Sequence, residues 1–201
     1  MSILVQPCPC QSNPSLASTN SALAYKDCCQ PYHDGICNKK ASEEATEENN
    51  NVDGIKADSA ERLMRTRYSA FVLVIPEYIV KTTLPAQQNL LDIKAIEAWA
   101  KETDWAGLQI VGHTPKLGKR HAQVEFKAYF NSPDSTADNL QAHHELSTFV
   151  RVADKTTDKK SEHYENWYFL DPTVAMNVTQ KQPCICGSGE KFKRCCGVYL
   201  P

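Results

Sequence analysis

The hydrophobic period of the chain changes once. Between residues 58 and 103 apolar side chains recur every three or four positions, and beyond residue 105 they recur every second one. Met64, Tyr68, Phe71, Val72 and Ile75 form a first helical stripe, with Asp58 expected as N-cap, Glu61 at N3 and Pro76 as the stop. Pro76 also suits the opening position of a second helix, running through Leu84 to a stop at Pro85. Asp92 can cap a third, in which Ile96, Trp99, Ala100 and Thr103 share a face. After Trp105, Val124, Phe126, Ala128 and Phe130 alternate with Glu125, Lys127 and Tyr129, the mark of a half-buried strand. Further strands are expected at 108–113, 144–153 and 166–170, parted by polar turns at 131–134 and 154–160. Three helices and then four antiparallel strands imply an α+β fold with the helices on one face of the sheet.

Composition changes this picture little. The 201 residues are 41% apolar with a formal net charge of −2, enough to bury one core and too balanced for a protein that coats polyanions. No apolar run approaches the roughly 20 residues that cross a bilayer. The first residues also lack a basic-then-apolar signal pattern, so a cytoplasmic location without membrane insertion is expected. Residues 38–58 hold six acidic side chains, three lysines and few apolar groups, a composition that does not offset ordering entropy. This divides the chain into an N-terminal segment 1–37, an acidic flexible linker 38–57, a central domain 58–179 and a C-terminal segment 180–201.

The cysteines carry the strongest chemical signal. Eight of the nine form two knots, Cys8, Cys10, Cys28 and Cys29 at one end and Cys184, Cys186, Cys195 and Cys196 at the other, with Cys37 left over. In a reducing compartment, clustered thiolates read as metal ligands before they read as disulfides. The C-terminal knot places eight residues between its two pairs, which suits a tetrahedral Zn²⁺ bound at about 2.3 Å. Gly187 and Gly189 permit tight turns, Ser188 can cap the turn of helix that follows, and Gly197 can end it. Lys191, Lys193 and Arg194 are expected to offset the thiolate charge while Phe192 covers the site. Such a closed site is structural, because no ligand position stays open.

The N-terminal knot has the same outline with a 17-residue spacer, and Tyr25 and Lys26 stand where Phe192 and Lys193 stand in the other copy. A second Zn²⁺ is a candidate here, since loop closure grows only slowly costlier with length. His33 or Cys37 could replace one thiol. A degenerate copy with free thiols, or ligand exchange between the knots, are the alternatives.

The run from Cys184 to Gly197, Cys-x-Cys-Gly-Ser-Gly-x-Lys-x-Lys-x-Cys-Cys-Gly, resembles the SEC-C zinc motif named for the tail of the translocase ATPase SecA. The whole chain resembles the bacterial YchJ-like family. The resemblance rests on the SEC-C-like knots at both ends, the Leu63-to-Phe71 helix, the His-Glu-x-Ser-x-Phe strand at 144–149 and Trp-Tyr-Phe-Leu-Asp at 167–171. It implies a nuclear-transport-factor-like (cystatin-like) cone, in which a curved antiparallel sheet wraps helices around a cavity. Gln11 and Asn13 depart from the small residues usual in the N-terminal motif, as does the long linker. The family supplies an architecture and a metal but no reaction.

Three functional readings follow. The first is a protein-interaction module whose knuckles meet an unidentified protein partner; residues 180–201 carry four basic groups, Lys181, Lys191, Lys193 and Arg194, against Glu190. The second places a small-molecule or enzymatic site in the cone, with Tyr68, Trp99, His144, Glu145, Trp167, Asp171, Arg65 and Arg67 as pocket candidates. Strand alternation lets only one of His144 and Glu145 face inward. For Arg65 and Arg67 the choice is between salt bridges to nearby acids and capture of an anion. The third is nucleic-acid or ribosome binding through the knuckles, where Phe192 and Tyr25 could stack on bases. No nucleophile elbow, phosphate-cradling glycine loop or open metal triad is present, so no catalytic residue is assigned.

Overall fold

The computed structural model describes residues 6–15, 22–37, 55–132, 140–153 and 165–200. Most of the expected linker, the turn at 154–160 and half of that at 131–134 lie outside these residues. The helices are α1 (Gln30–Cys37), α2 (Ala60–Val72), α3 (Pro76–Lys81), α4 (Pro85–Gln88) and α5 (Ile93–Glu102). The strands β1 (Asp104–Leu117), β2 (His121–Asn131), β3 (Leu140–Ala153) and β4 (Glu165–Phe169) form one antiparallel sheet in the order β1-β2-β3-β4.

Helix boundaries depart from the periodicity for local reasons. The N-cap of α2 is Ser59 and not Asp58: its hydroxyl accepts the Arg62 N–H at 3.1 Å and donates to Asp58 Oδ1. Glu61, expected at N3, is therefore one position earlier and pairs with Arg65 at 2.8 Å. The helix ends at Val72, before Pro76. Val74 takes a left-handed conformation (φ 54°), the Val74 N–H reaches Phe71 O, and the Ile75 N–H reaches Ala70 O at 2.8 Å. That is a Schellman-type end with valine in the place glycine usually holds. Pro76 does open α3, but α3 stops at Lys81 rather than Leu84. The next residues bond to β4: Phe169 N–H donates to Thr82 O and Leu84 N–H to Phe169 O, both at 2.9 Å. Asp92 caps α5 as expected, accepting from Lys94 and Ala95.

β1 is bent by three register shifts, at Trp105/Gly107, Ile110/Gly112 and Thr114/Leu117. Bulges sharpen twist and bend the strand, and the sheet curves around α2. On its concave face Leu108, Ala122, Val124, Phe126, Ala128 and Phe149 bury against Ala60, Leu63, Met64 and Tyr68 of α2. Cys8, Cys10, Tyr25, Cys28 and Cys29 belong to this same core. On the convex face Val150 packs with Leu84, Leu170 and the C-terminal Cys184, Cys186, Phe192, Cys195 and Cys196. Each cysteine knot is thus built into the packing of the central domain.

Candidate functional site

Both knots gather as the spacing predicted. The sulfurs of Cys8, Cys10, Cys28 and Cys29 lie within 4.8 Å of one another, as do those of Cys184, Cys186, Cys195 and Cys196, and all eight residues are buried. Short 3-10 turns at Pro9–Gln11, Tyr25–Asp27, Phe192–Arg194 and Cys196–Val198 carry the ligand pairs inward. A single bridge zips each knot, Pro7 to Ala24 and Pro183 to Lys191. Gly187 and Gly189 turn the C-terminal loop at φ 72° and 79°.

The donor set fits a tetrahedral cation. Metal–sulfur bonds of about 2.3 Å put tetrahedral sulfurs roughly 3.8 Å apart. In the N-terminal knot Cys10 lies 3.6 Å from both Cys28 and Cys29, which are 3.9 Å from each other; in the C-terminal knot Cys186 lies 3.6 Å from both Cys184 and Cys195. Contacts this short also set the protonation of the thiols. Hydrogen bonding from Cys10 draws the Cys28 pKa far down, and Cys184 does the same for Cys186. Contact with Cys10 and with Cys184 drives Cys29 and Cys196 strongly up. A full set of thiolates at this spacing needs a divalent cation among them. When bound, Zn²⁺ would cross-link the two pairs of each knot.

Outer groups complete each cluster. At the N-terminal knot Ser69 Oγ donates to Cys29 Sγ at 3.3 Å, Gln11 Nε2 to Cys28 Sγ at 3.4 Å, and Arg62 reaches Cys28 Sγ at 3.8 Å. Gln11, a departure from the usual small residue, therefore serves the site, and its Oε1 accepts the Leu23 N–H. At the C-terminal knot the Cys196 N–H reaches Cys184 Sγ, Ser188 Oγ lies 3.4 Å from Cys195 Sγ, and His121 Nε2 of β2 lies 3.5 Å from Cys196 Sγ. Lys191, Lys193 and Arg194, expected to offset the thiolates, are exposed and make no contact with sulfur among the described residues, whereas Phe192 does cover the site at 4% exposure.

His33 and Cys37 stand outside the thiol cluster. His33 is buried between α1 and α2, with Nε2 2.9 Å from Thr66 O and Nδ1 2.8 Å from the Tyr25 hydroxyl. A carbonyl only accepts, so Nε2 carries the proton and Nδ1 accepts from Tyr25. Desolvation lowers the His33 pKa, in keeping with the neutral ring. The histidine thus ties the N-terminal segment to α2. Cys37 packs beside Tyr78 and Ile79. His33→Ala is expected to lower stability by about 2–4 kcal/mol, from two buried groups left unpaired, with metal content unchanged. Urea unfolding and elemental analysis of the purified variant check both halves of that expectation.

The second candidate site is a cavity of about 600 Å³ between the helices and the concave face. Tyr68, Phe71, Trp99, Trp105, Phe126 and Phe169 give it an aromatic wall on one part of its lining. Phe71, Trp99 and Trp105 form a chain of edge contacts, with ring centroids 4.9 Å apart for Phe71–Trp99 and 5.3 Å for Trp99–Trp105, and Tyr68 meets Trp105 at 5.9 Å. Phe126 and Ala128 of β2 continue the wall, and the neighbouring β3 positions Glu145 and His143 supply polar groups opposite them. Glu145 accepts from Ser147 Oγ at 2.5 Å and meets His143 Nε2 at 2.9 Å.

Arg67 reaches this cavity from α2 while only 6% exposed. Its Nη1 donates to Ile79 O and Thr82 Oγ1, both at 2.8 Å, and to Thr83 Oγ1 at 3.2 Å, and the guanidinium stacks 4.5 Å over Phe169. Among the described residues no carboxylate lies within 4.0 Å of it and no acceptor meets Nε or Nη2. Burial lowers its pKa to about 10, and the fields of Asp171 and Glu145 oppose that fall.

Of the eight pocket candidates, the structure brings Tyr68, Trp99, Glu145, Asp171 and Arg67 to this cavity. Three fall elsewhere. His144 points to the convex side, bonded to Glu125 at 2.8 Å, because its parity is opposite to that of Glu145. Trp167 lines a separate recess of about 240 Å³ beside Lys56 and Tyr168. Arg65 pairs with Glu61 and donates to Cys10 O, bracing the N-terminal knot instead of capturing an anion. His143 and Trp105 were not among the candidates. Alternation fixes the two faces of β3 without saying which is concave, and Trp105 sits where the helical period gives way to the strand.

Comparison with known proteins agrees with this architecture. Family models match residues 59–172 as the YchJ middle NTF2-like domain, residues 1–37 as the YchJ N-terminal zinc binding domain and residues 181–197 as the SEC-C motif. A UPF0225 protein of Actinobacillus succinogenes is 40% identical over 96% of this chain and 97% of its own length. Another, from Haemophilus influenzae, is 41% identical over 98% and 96%. Among solved structures, a SEC-C motif containing protein from Psychrobacter arcticus shares 66% identity over the full length of both chains with a TM-score of 0.85. A second, from Rhodopseudomonas palustris, shares 28% identity over 83% of this chain and 96% of its own with a TM-score of 0.53. With both cysteine knots, the NTF2-like middle domain and relatives matched over nearly the whole length, the chain belongs to the zinc-binding YchJ family, the UPF0225 proteins.

Proposed function

We propose that the protein binds a small organic ligand in the cone cavity, and that its two four-cysteine centres hold Zn²⁺ to brace the cone. The observation that carries this reading is the cavity itself, about 600 Å³ with an aromatic wall and a buried guanidinium. A concave, mostly apolar space with a few convergent polar groups is the usual form of a small-molecule site. The knuckles spend their apolar side chains on the central domain, which favours a bracing role over a partner-facing one. Exposed Lys191, Lys193 and Arg194 support a second reading, a basic face for an acidic protein partner.

An aromatic probe that fluoresces in apolar surroundings, such as the anion anilinonaphthalene sulfonate, tests the first reading. One saturable site per chain is expected, competed by indole and weakened at least tenfold by Ala95→Phe, which projects into the cavity from α5. Absence of saturable binding, or affinity unchanged in Ala95→Phe, would sink it.

A further inference from the structure

The polar groups of the cavity define a ligand class. Arg67 is desolvated, with Nη1 committed to α3 and the segment after it, so its Nε–Nη2 edge is what the side chain has left to offer a ligand. That edge is two parallel N–H donors, the geometry that matches a carboxylate. Three acids line the same cavity: Asp92 spends its Oδ1 on capping α5, and Asp171 and Glu145 both keep accepting capacity. Asp171 uses Oδ1 for the Thr173 N–H and hydroxyl, while Glu145 takes Ser147 on one oxygen and His143 on the other. Asp171 and Glu145 act on Arg67 across the cavity without touching it.

We propose, resting on the cavity as a ligand site, that the ligand is a small zwitterion of the free amino-acid class with an aromatic or branched apolar body. Its carboxylate meets the open edge of Arg67, its ammonium group faces Glu145 and Asp171, and its body packs among Phe71, Trp99 and Trp105.

Charge counting separates this from simpler ligands. Arg67, Glu145, Asp171 and Asp92 together carry one positive and three negative charges. An organic monoanion would satisfy the guanidinium and add a charge beside the carboxylates. A monocation would satisfy the acids and leave the Nε–Nη2 edge of Arg67 without a charged acceptor. A zwitterion serves both without changing the net charge. Sites built on buried polar groups discriminate sharply against analogues lacking one partner.

Three compounds with one indole body test it on the unmodified full-length protein: tryptophan, indole-3-propionate and tryptamine, titrated by calorimetry with indole as reference. Tryptophan is expected to bind at least tenfold tighter than either single-charge analogue. The double variant Glu145→Gln, Asp171→Asn leaves Arg67 in place and is expected to bring tryptophan down to the level of indole-3-propionate. Arg67→Lys, which keeps the charge but not the paired donors, is expected to bring it down to the level of tryptamine. Indole-3-propionate or tryptamine binding as tightly as tryptophan would overturn the proposal. If all three bind no better than indole while indole still competes with the fluorescent probe, the zwitterion assignment fails and the cavity reading stands. Loss of probe binding as well would mean that the cavity reading itself has failed.

Discussion

Cys29→Ser is expected to release one metal ion per chain and to lower the stability of the entire fold by about 4 kcal/mol or more, the range reached when a structural metal is lost. Cys29 is fully buried, and its knot shares one core with Leu63, Met64 and Tyr68 of α2 and with Val124 and Phe126 of β2. Ser69 and the Arg65 carbonyl also contact its sulfur, so the change disturbs α2 directly. Elemental analysis counts the metal, and thermal unfolding followed by circular dichroism reports the fold. A single transition moved down as a unit is the expected result; an early minor transition with the main one unmoved would show that the N-terminal knot is an independent module. Cys195→Ser makes the matching case. The shared cluster with Leu84, Val150 and Leu170 means that the main transition should fall along with the terminal knuckle.

Gly107→Ala is expected to cost about 3 kcal/mol, from strained backbone and a steric clash together, which for a chain of this length lowers Tm by roughly 6–12 °C. Gly107 lies at the first bulge of β1 with φ 153°. A methyl group there would stand 2.5 Å from Pro14 Cδ and 2.8 Å from Ser12 O. The second contact is with backbone that bonds the adjacent strand residue, Leu108 N–H to Ser12 O at 2.7 Å. The N-terminal segment would have to lift off β1, taking its knot with it. Gly112→Ala on the same strand is the control: its added methyl meets only the Glu125 side chain at 3.5 Å, so little change is expected. Equal effects of the two changes would show that β1 tolerates no side chain at either bulge, whatever approaches it.

What the sequence revealed depended on how far apart the interacting residues lie. Ligand pairs such as Cys195 and Cys196 sit in short self-contained turns, so local spacing and composition located both knots. The strand of β2 was plain because Val124, Phe126 and Ala128 alternate without interruption. Ser59 and Asp58 are both good caps, and one-dimensional patterning has nothing to choose between them. The end of α2 was hidden because a valine, rather than a glycine, occupies the left-handed position. Arg67 was legible as a charge at the border of an apolar stripe, but its acceptors Ile79, Thr82 and Thr83 come from the next helix and the segment after it. The docking of the knuckles was beyond local reasoning altogether, since His121 and Cys196 are 75 residues apart.

The burial of Val150 by residues 184–196 also sets a timetable for synthesis. The four strands leave the ribosome before the cysteines that cover their convex face, so a nascent sheet can be complete in hydrogen bonding and still show Val150, Leu84 and Leu170 to the surroundings. With Zn²⁺ in the proposed bracing role, closure of that face would wait for the second thiol pair and for the ion that holds it. Under zinc limitation, newly made chains should therefore accumulate in an open, sticky state while older molecules remain sealed. The metal would act here as a checkpoint on the age of the molecule.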